Sequence, residues 1–373
     1  TNNRNFTLLG NPALQLSYPR FDVITTKVND TLKALSQVTV EGQIQSDGVL
    51  LSDFNGIIFP TVFDKEIIKT TLGQESSSPM PYRDQNNIIY KGAASVIDGK
   101  FSFSFIVPKD IDYNYGDGKI SYYAFNENGQ NPMDANGVET NFIIGGMANN
   151  INYDYDGPEI SLYMNDTLFV DGGITNSNPK LFVRIFDFSG INTVGNGIGH
   201  NIELVVDDDF TNSIILNDYY ESDLDTYKSG KINYELSDLS EGDHKLKIKV
   251  WDNYNNSTDS ELFFTVINEQ DIEISHVLNY PNPFTTNTSF YFEHNQNCNF
   301  LDVSIQVYTV SGRVVKRINK RIHNEGFRSQ GIPWDGRDDY GEQLSRGVYI
   351  YNLSVKNEQG LSADKTEAMF LLK

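Results

Sequence analysis

Apolar and polar residues alternate with a period of two over short runs, separated by polar, glycine-containing turns, along most of the chain. VTVEGQI (38–44), FNGIIFPTVFD (54–64), NIIYKGAASVIDGKFSFSFIVP (87–108) and GKISYYAF (118–125) all carry this pattern. It sends successive side chains to opposite faces of a β-strand. Asp98-Gly99 separates two such runs and predicts a tight two-residue hairpin with Gly99 at positive φ. Residues 72–86, rich in Ser, Pro and Asn, read as a surface loop. Apolar spacing of i, i+3, i+4 is scarce, and residues 64–72 are the best helix candidate. Near the other end, residues 303–310 alternate and Ser311-Gly312 turns them into 313–318. WDGRDDYGEQLSRGVYIYNLSV (334–355) reads as a strand end, a turn and a strand, with Gly336 and Gly341 free to take positive φ and Asp335, Asp338 and Asp339 as turn formers. In that last strand Val348, Ile350, Leu353 and Val355 alternate with Tyr349, Tyr351 and Ser354, with one irregular step at Asn352. The patterning predicts an all-β protein.

At 373 residues there is room for two or three domains, each with its own core. The patterning divides the chain at Gly145-Gly146 and at the polar hinge 268–271, giving strand-rich units over 21–148, 149–270 and 271–373. Residues 1–20 are too short for a domain and too apolar for a tail. The second unit closes HKLKIKVWDNYNNSTDSELFFTV (244–266), and its strand, Asp-x-x-x-Asn, strand connection is common in bacterial Ig-like domains. The expected class is therefore a tandem array of Ig-like antiparallel β-sandwiches, with Trp251 in or beside a core.

The net charge of −21 changes this picture because it is uneven. Residues 273–373 hold 11 Lys+Arg and 11 Asp+Glu, whereas the rest holds 18 and 39. So acidic a surface repels phosphate backbones and argues against a nucleic-acid partner. The neutral end is free to dock without long-range repulsion. No run of about 18 apolar residues is present to span a membrane as a helix. The single cysteine, Cys298, excludes an internal disulfide framework. The opening TNNRNF has neither Met nor a signal peptide and reads as an internal or processed start.

Four motifs occur in order in the last hundred residues: Pro281-Asn282-Pro283 before Phe284, then VYTVSGRVVKRI, then WDGRDDYGEQLSRGVY, then a final strand containing Lys365. Together they resemble the type A C-terminal sorting domain of type IX secretion, the outer-membrane export route of Bacteroidetes-type bacteria. A wider resemblance runs through LLGNPAL, FNGIIFPTVFDK, YKGAASVIDGKFSFSFIVPKDI, YGDGKISYYA, FDFSGINTVGNGIGH, ILNDYY and LKIKVWDN. These phrases resemble the C-terminal half of the PorU family of surface sortases, gingipain-type cysteine peptidases; Asn11 stands where their Leu-Gly-Asp-Pro run has Asp. The resemblance implies that residues 1–20 trail an absent peptidase domain, which holds the family's catalytic His and Cys. It also implies an outer-membrane-associated, cell-surface location reached by type IX export. The parent would remove C-terminal signals from cargo and join cargo to surface lipopolysaccharide.

Candidate chemistry within the chain is thin. Cys298 has His294 four residues away but no Gly-rich oxyanion turn, so no catalytic residue is assigned. The five histidines are scattered without a His-x-x-x-His pair, which argues against zinc. Asp252-x-Tyr254-x-Asn256 fails the EF-hand pattern. Asp207-Asp208-Asp209 and Asp154-Tyr155-Asp156 could offer calcium ligands across adjacent loops, but solvated turn acids are the simpler reading. Residues 190–199, GINTVGNGIG, lack a following helix and read as a hairpin loop rather than a nucleotide site. No cofactor or metal is assigned.

One surface is singled out. Ala368–Leu372, written AMFLL, would expose apolar side chains and unpaired backbone on an edge strand, which a lone soluble protein avoids. The residues expected to dock are Gly347, Val348, Tyr349, Ile350, Tyr351, Lys365, Met369, Phe370, Leu371 and Leu372. The implied partners are an outer-membrane barrel of the PorV type, other attachment-complex subunits and, through the absent peptidase, cargo sorting domains. An exported adhesin carrying its own sorting signal is the alternative.

Overall fold

The computed structural model describes residues 18–74, 77–126, 132–151, 153–193, 199–267, 272–296, 298–323 and 326–372. The trailing segment 1–20, apart from its last residues, and the hinge 268–271 lie outside them. All long elements are strands; among the described residues the only helical turns are two 3-10 segments, Phe210–Asn212 and Asn217–Tyr219. Among the described residues no helix is long and apolar enough to cross a membrane.

The described residues through Tyr153, joined by Ser222–Tyr227, form one compact unit. Its main sheet runs Phe21–Lys27, Met133–Glu139, Lys119–Asn126, Gly56–Phe63, Ala94–Ile97, Lys100–Ile106, Gln37–Ser46. Phe21–Lys27 pairs with Met133–Glu139 and also with Gln37–Ser46, so the ladder closes into a ring. The inward residues of each alternation fill it, among them Val38, Val40, Ile58, Val62, Phe101, Phe103, Phe105 and Ile120. Tyr90 stacks on Phe105 with ring centroids 4.5 Å apart. The Asp98-Gly99 hairpin forms as expected: Lys100 pairs with Ile97, and φ is 51° at Asp98 and 72° at Gly99. The segment Ser222–Tyr227 also packs here. Leu224 bridges to Ala93, and the Asp225 carboxylate accepts from the backbone N–H and the Oγ of Ser95, both at 2.6 Å.

The helix expected at 64–72 is absent. Phe63 ends one strand and Ile67–Thr70 is another, paired antiparallel with Pro81–Asp84 inside the stretch read as a loop. Ile67, Ile68, Thr70 and Thr71 are β-branched, which favours extended backbone. Ile67 and Ile68 are exposed, so no buried helical stripe exists to offset that preference.

The second unit, from Asp154 to Glu221 and from Lys228 onward, holds two sandwich cores. In the first, a sheet of Glu159–Met164, Lys180–Phe186, Ser229–Glu235 and Tyr220–Ser222 faces one of Gly173–Thr175, Ser257–Val266, Gly242–Trp251, Glu203–Val206 and Ile214–Ile215. In the second, Ile274–Tyr280, Thr288–His294 and Ile332–Trp334 face the sheet Val314–His323, Phe300–Thr309, Gly347–Asn357, Ser362–Leu371.

The inward face of Gly347–Asn357 differs from the expectation. Its ladder to Phe300–Thr309 is unbroken from Leu301↔Asn357 to Thr309↔Tyr349, with no irregular step at Asn352. Tyr349, Tyr351, Leu353 and Val355 point inward, whereas Val348 is exposed and Ile350 half-buried. The tyrosine rings carry more apolar area than the aliphatic side chains beside them. Tyr351 packs edge-on against Phe290, centroids 4.8 Å apart.

Candidate functional site

The residues singled out for docking lie on Gly347–Asn357 and Ser362–Leu371, which pair in the register Gly347↔Leu371, Val348↔Phe370, Tyr349↔Met369, Ile350↔Ala368. Strand alternation then splits them. Tyr349, Tyr351, Met369 and Leu371 are buried in the module's own core and offer nothing to a partner. Val348, Phe370 and Leu372, 42–53% exposed, turn outward with half-buried Ile350. Tyr308 joins the same outward row opposite Ile350. Gly347, at the start of its strand, and Lys365, opposite Leu353, are exposed.

The edge of Ser362–Leu371 is not open along this apolar stretch, contrary to the expectation. The lead-in segment adds to it as a short parallel strand. The Phe284 N–H donates to the Phe370 carbonyl at 3.0 Å, and Leu372 N–H donates to the Phe284 carbonyl at 2.7 Å. Asn282 closes the rest, its Oδ1 accepting from Phe370 N–H and its Nδ2 donating to the Ala368 carbonyl. Phe284 is buried against Trp334. The Pro-Asn-Pro-Phe motif thus covers the backbone edge of the last strand along this stretch and leaves its apolar face exposed.

Other candidates resolve into structural roles. Asp207 accepts from His244 Nδ1 at 2.7 Å and from Lys245 N–H, Asp208 pairs with Lys245, and Asp209 caps Phe210–Asn212. Burial works to lower the His244 pKa, but the Ser240 carbonyl and Asp207 outweigh it and raise it overall. Cys298 Sγ lies 3.3 Å from the Phe300 carbonyl, beside the last core. His294 is fully buried between Phe292 and Phe327, and its Nδ1 accepts from Gln296 N–H. Residues 194–198 of the glycine loop lie outside the described residues.

One cluster was invisible as a cluster in the sequence. Asp154, Asp187 and Asp252 place carboxylate oxygens within 4.8 Å of one another. Asp187 and Asp252 are buried. Asp252 is satisfied on both oxygens, by Tyr254 N–H and Asn256 N–H on one and Asn256 Nδ2 on the other. Asp187 accepts from Ser189 N–H, while Ser189 Oγ donates to Asp154. Burial, with the charges of Asp252 and Asp154, pushes Asp187 up to about 7. Burial also raises Asp252, opposed by its hydrogen bonds. The oxygens are of the class a hard cation takes, and below pH about 7 a proton on Asp187 relieves the same repulsion. The cluster brings together three segments far apart in sequence.

No family model matches the chain, and no curated protein matches it. Among solved structures, dimeric latent PorU from Porphyromonas gingivalis is 30% identical over 98% of this chain, with a TM-score of 0.44. The chain is similar to PorU. It spans about a third of that protein, covering 35% of it. Two other matches are distant: a tandem repeat from the extending region of a large adhesion protein (14% identity, 94% of this chain and 74% of that one, TM-score 0.20), and a Bacteroides ovatus glucan-utilisation protein bound to a heptasaccharide (9%, 94% and 70%, TM-score 0.27).

Proposed function

We propose that this chain is the non-catalytic C-terminal part of a PorU-like sortase of type IX secretion, bracing a peptidase domain and docking it at the cell surface. The observation that carries the reading is the 30% identity to PorU along nearly the entire chain, together with the four ordered motifs of the last hundred residues. The parent would cut C-terminal signals from cargo and attach cargo to surface lipopolysaccharide. The docking surface is the outward face of the last sheet, centred on Val348, Ile350, Phe370 and Leu372, and its partner is an outer-membrane barrel of the PorV type. An exposed apolar row of this kind is stabilised by burial against a partner. Phe370 and Val348 are cross-strand partners whose side chains leave the core, so charging them perturbs the face and not the fold. The test is recovery of the barrel from detergent extracts with wild type and with Phe370→Glu plus Val348→Glu. Loss of recovery by the double variant, with unchanged circular dichroism, supports the face; equal recovery rejects it.

A further inference from the structure

The opposite edge of the same sheet is built differently. Val314–His323 is its outermost strand, bonded on one side to Phe300–Thr309. In an antiparallel strand, the N–H and C=O of one residue point to the same side and alternate along the chain. Arg317 N–H donates away from the sheet to Asp339 Oδ1 at 3.0 Å, and the Val315 carbonyl accepts from Asp339 N–H at 3.0 Å. By the same parity, beyond the register shift near Val314, the backbone groups of Asn319 and Arg321 also point outward. No group among the described residues takes them up. Asn319, Lys320 and Arg321 are exposed.

This open backbone is strongly basic. Arg313, Lys316, Arg317, Lys320 and Arg321 crowd nine residues that contain no acid. Lys320 and Arg313 make no ion pair among the described residues. Arg317 and Arg321 reach acids only at 3.7–3.9 Å on an exposed surface, where such pairs hold little energy. Beside the edge lies a trough of about 540 Å³, lined by Lys316, Arg317, Ile318 and Asn319 of the strand and by Asn287, Pro333, Trp334 and Asp335.

We infer that this edge is a strand-addition site for an acidic, extended segment of another protein. Unpaired edge groups supply main-chain hydrogen bonds, and alternate pockets give side-chain specificity. Charge complementarity fixes the occupant. Acidic side chains on one face of the added strand meet Arg317 and Arg321, while apolar ones on the other face enter the trough by Ile318 and Trp334.

The test is fluorescence anisotropy of the full chain with a labelled octapeptide alternating aspartate and valine. Saturable binding is expected, weakened by added salt. Asn319→Pro removes an outward N–H without touching the bonds to Phe300–Thr309, and is expected to weaken binding roughly tenfold. Arg321→Glu is expected to weaken it at least as much. Should Asn319→Pro disturb the fold by circular dichroism, the same peptide N-methylated at alternate residues tests the backbone bonds on the intact protein and is expected to lose binding. Absence of saturable binding by wild type overturns the proposal. So does unchanged affinity after both backbone perturbations, which would make the edge a general polyanion patch. Self-association of the chain that Arg321→Glu abolishes would make the occupant a second copy and likewise overturn it.

Discussion

Two Asp-Gly turns in the first unit allow the cost of a side chain to be separated from the cost of its backbone angle. Asp47-Gly48 and Asp98-Gly99 both have positive φ at both residues, with Gly48 at 81° and Gly99 at 72°. A Cβ on Gly48 would meet nothing within 4 Å, whereas one on Gly99 would lie 2.3 Å from the Leu51 carbonyl oxygen and 2.9 Å from its carbon. Gly99 is also bonded on both sides, its N–H donating to the Phe54 carbonyl at 2.9 Å and its carbonyl accepting from Ile44 N–H at 2.8 Å. The chain there cannot move without breaking ladder contacts. Gly48→Ala should therefore cost only the left-handed penalty, about 1 kcal/mol. Gly99→Ala should add an overpacking term of about 1–3 kcal/mol, for a total of roughly 2–4 kcal/mol. For a unit of this size each kcal/mol lowers the melting temperature by roughly 2–4 °C. Differential scanning calorimetry of the full chain, following the transition that Gly48→Ala shifts, gives both numbers. If Gly99→Ala moved that transition no further than Gly48→Ala, the crowding argument at Leu51 would be wrong.

Asp187 holds its proton to about 7 in the folded chain and to about 4 when unfolded. Between those values the folded state binds more protons at this site, so the stability that Asp187 contributes is complete below pH ~4 and is lost as pH rises through ~7. The ceiling on that loss is roughly 4 kcal/mol, and Asp187→Asn should flatten it; a urea-midpoint profile that keeps its slope in the variant would refute this. The Tyr351 hydroxyl is buried with no hydrogen-bond partner among the described residues, so Tyr351→Phe should leave stability unchanged or raise it by about 1 kcal/mol, whereas Tyr351→Ala should cost about 3–5 kcal/mol. Purified chain should not cleave a peptide ending in a sorting domain; cleavage abolished by Cys298→Ala would overturn the non-catalytic reading.

Local chemistry is legible in the sequence and long-range placement is not. Asp98-Gly99 announces its hairpin because the turn type needs two positive φ values, and few other dipeptides supply them. The Trp334–Tyr340 turn is legible for the same reason: Asp335 and Asp338 accept from backbone N–H groups two residues on. The facing of residues 348–355 is misread when Val and Ile are weighted above Tyr, because the tyrosines bury the larger surface. Residues 64–72 are misread because a short apolar run fits either period, and only pairing with Pro81–Asp84 decides it. Asp187 draws no attention in the sequence, since nothing local tells that Asp154 and Asp252 arrive beside it. The motif Pro281-Asn282-Pro283-Phe284 stands out as a signature, yet its physical task, capping the last strand, needs the fold.

The Asp225–Ser95 contact bears on how this protein can be dissected and how it is completed during synthesis. A truncation at Tyr153 would look natural from chain order, but it would omit Leu224, Asp225 and Tyr227, which packs at the margin of the first core. The Ser95 N–H, adjoining the tight hairpin, would then face water in place of a carboxylate 130 residues downstream. A nascent chain must likewise extend past residue 227 before its first unit acquires its last piece. The first unit therefore finishes after the beginning of the second has already been made, and a protease nick between 153 and 222 would leave it held together by non-covalent contacts alone, the Asp225–Ser95 hydrogen bonds among them.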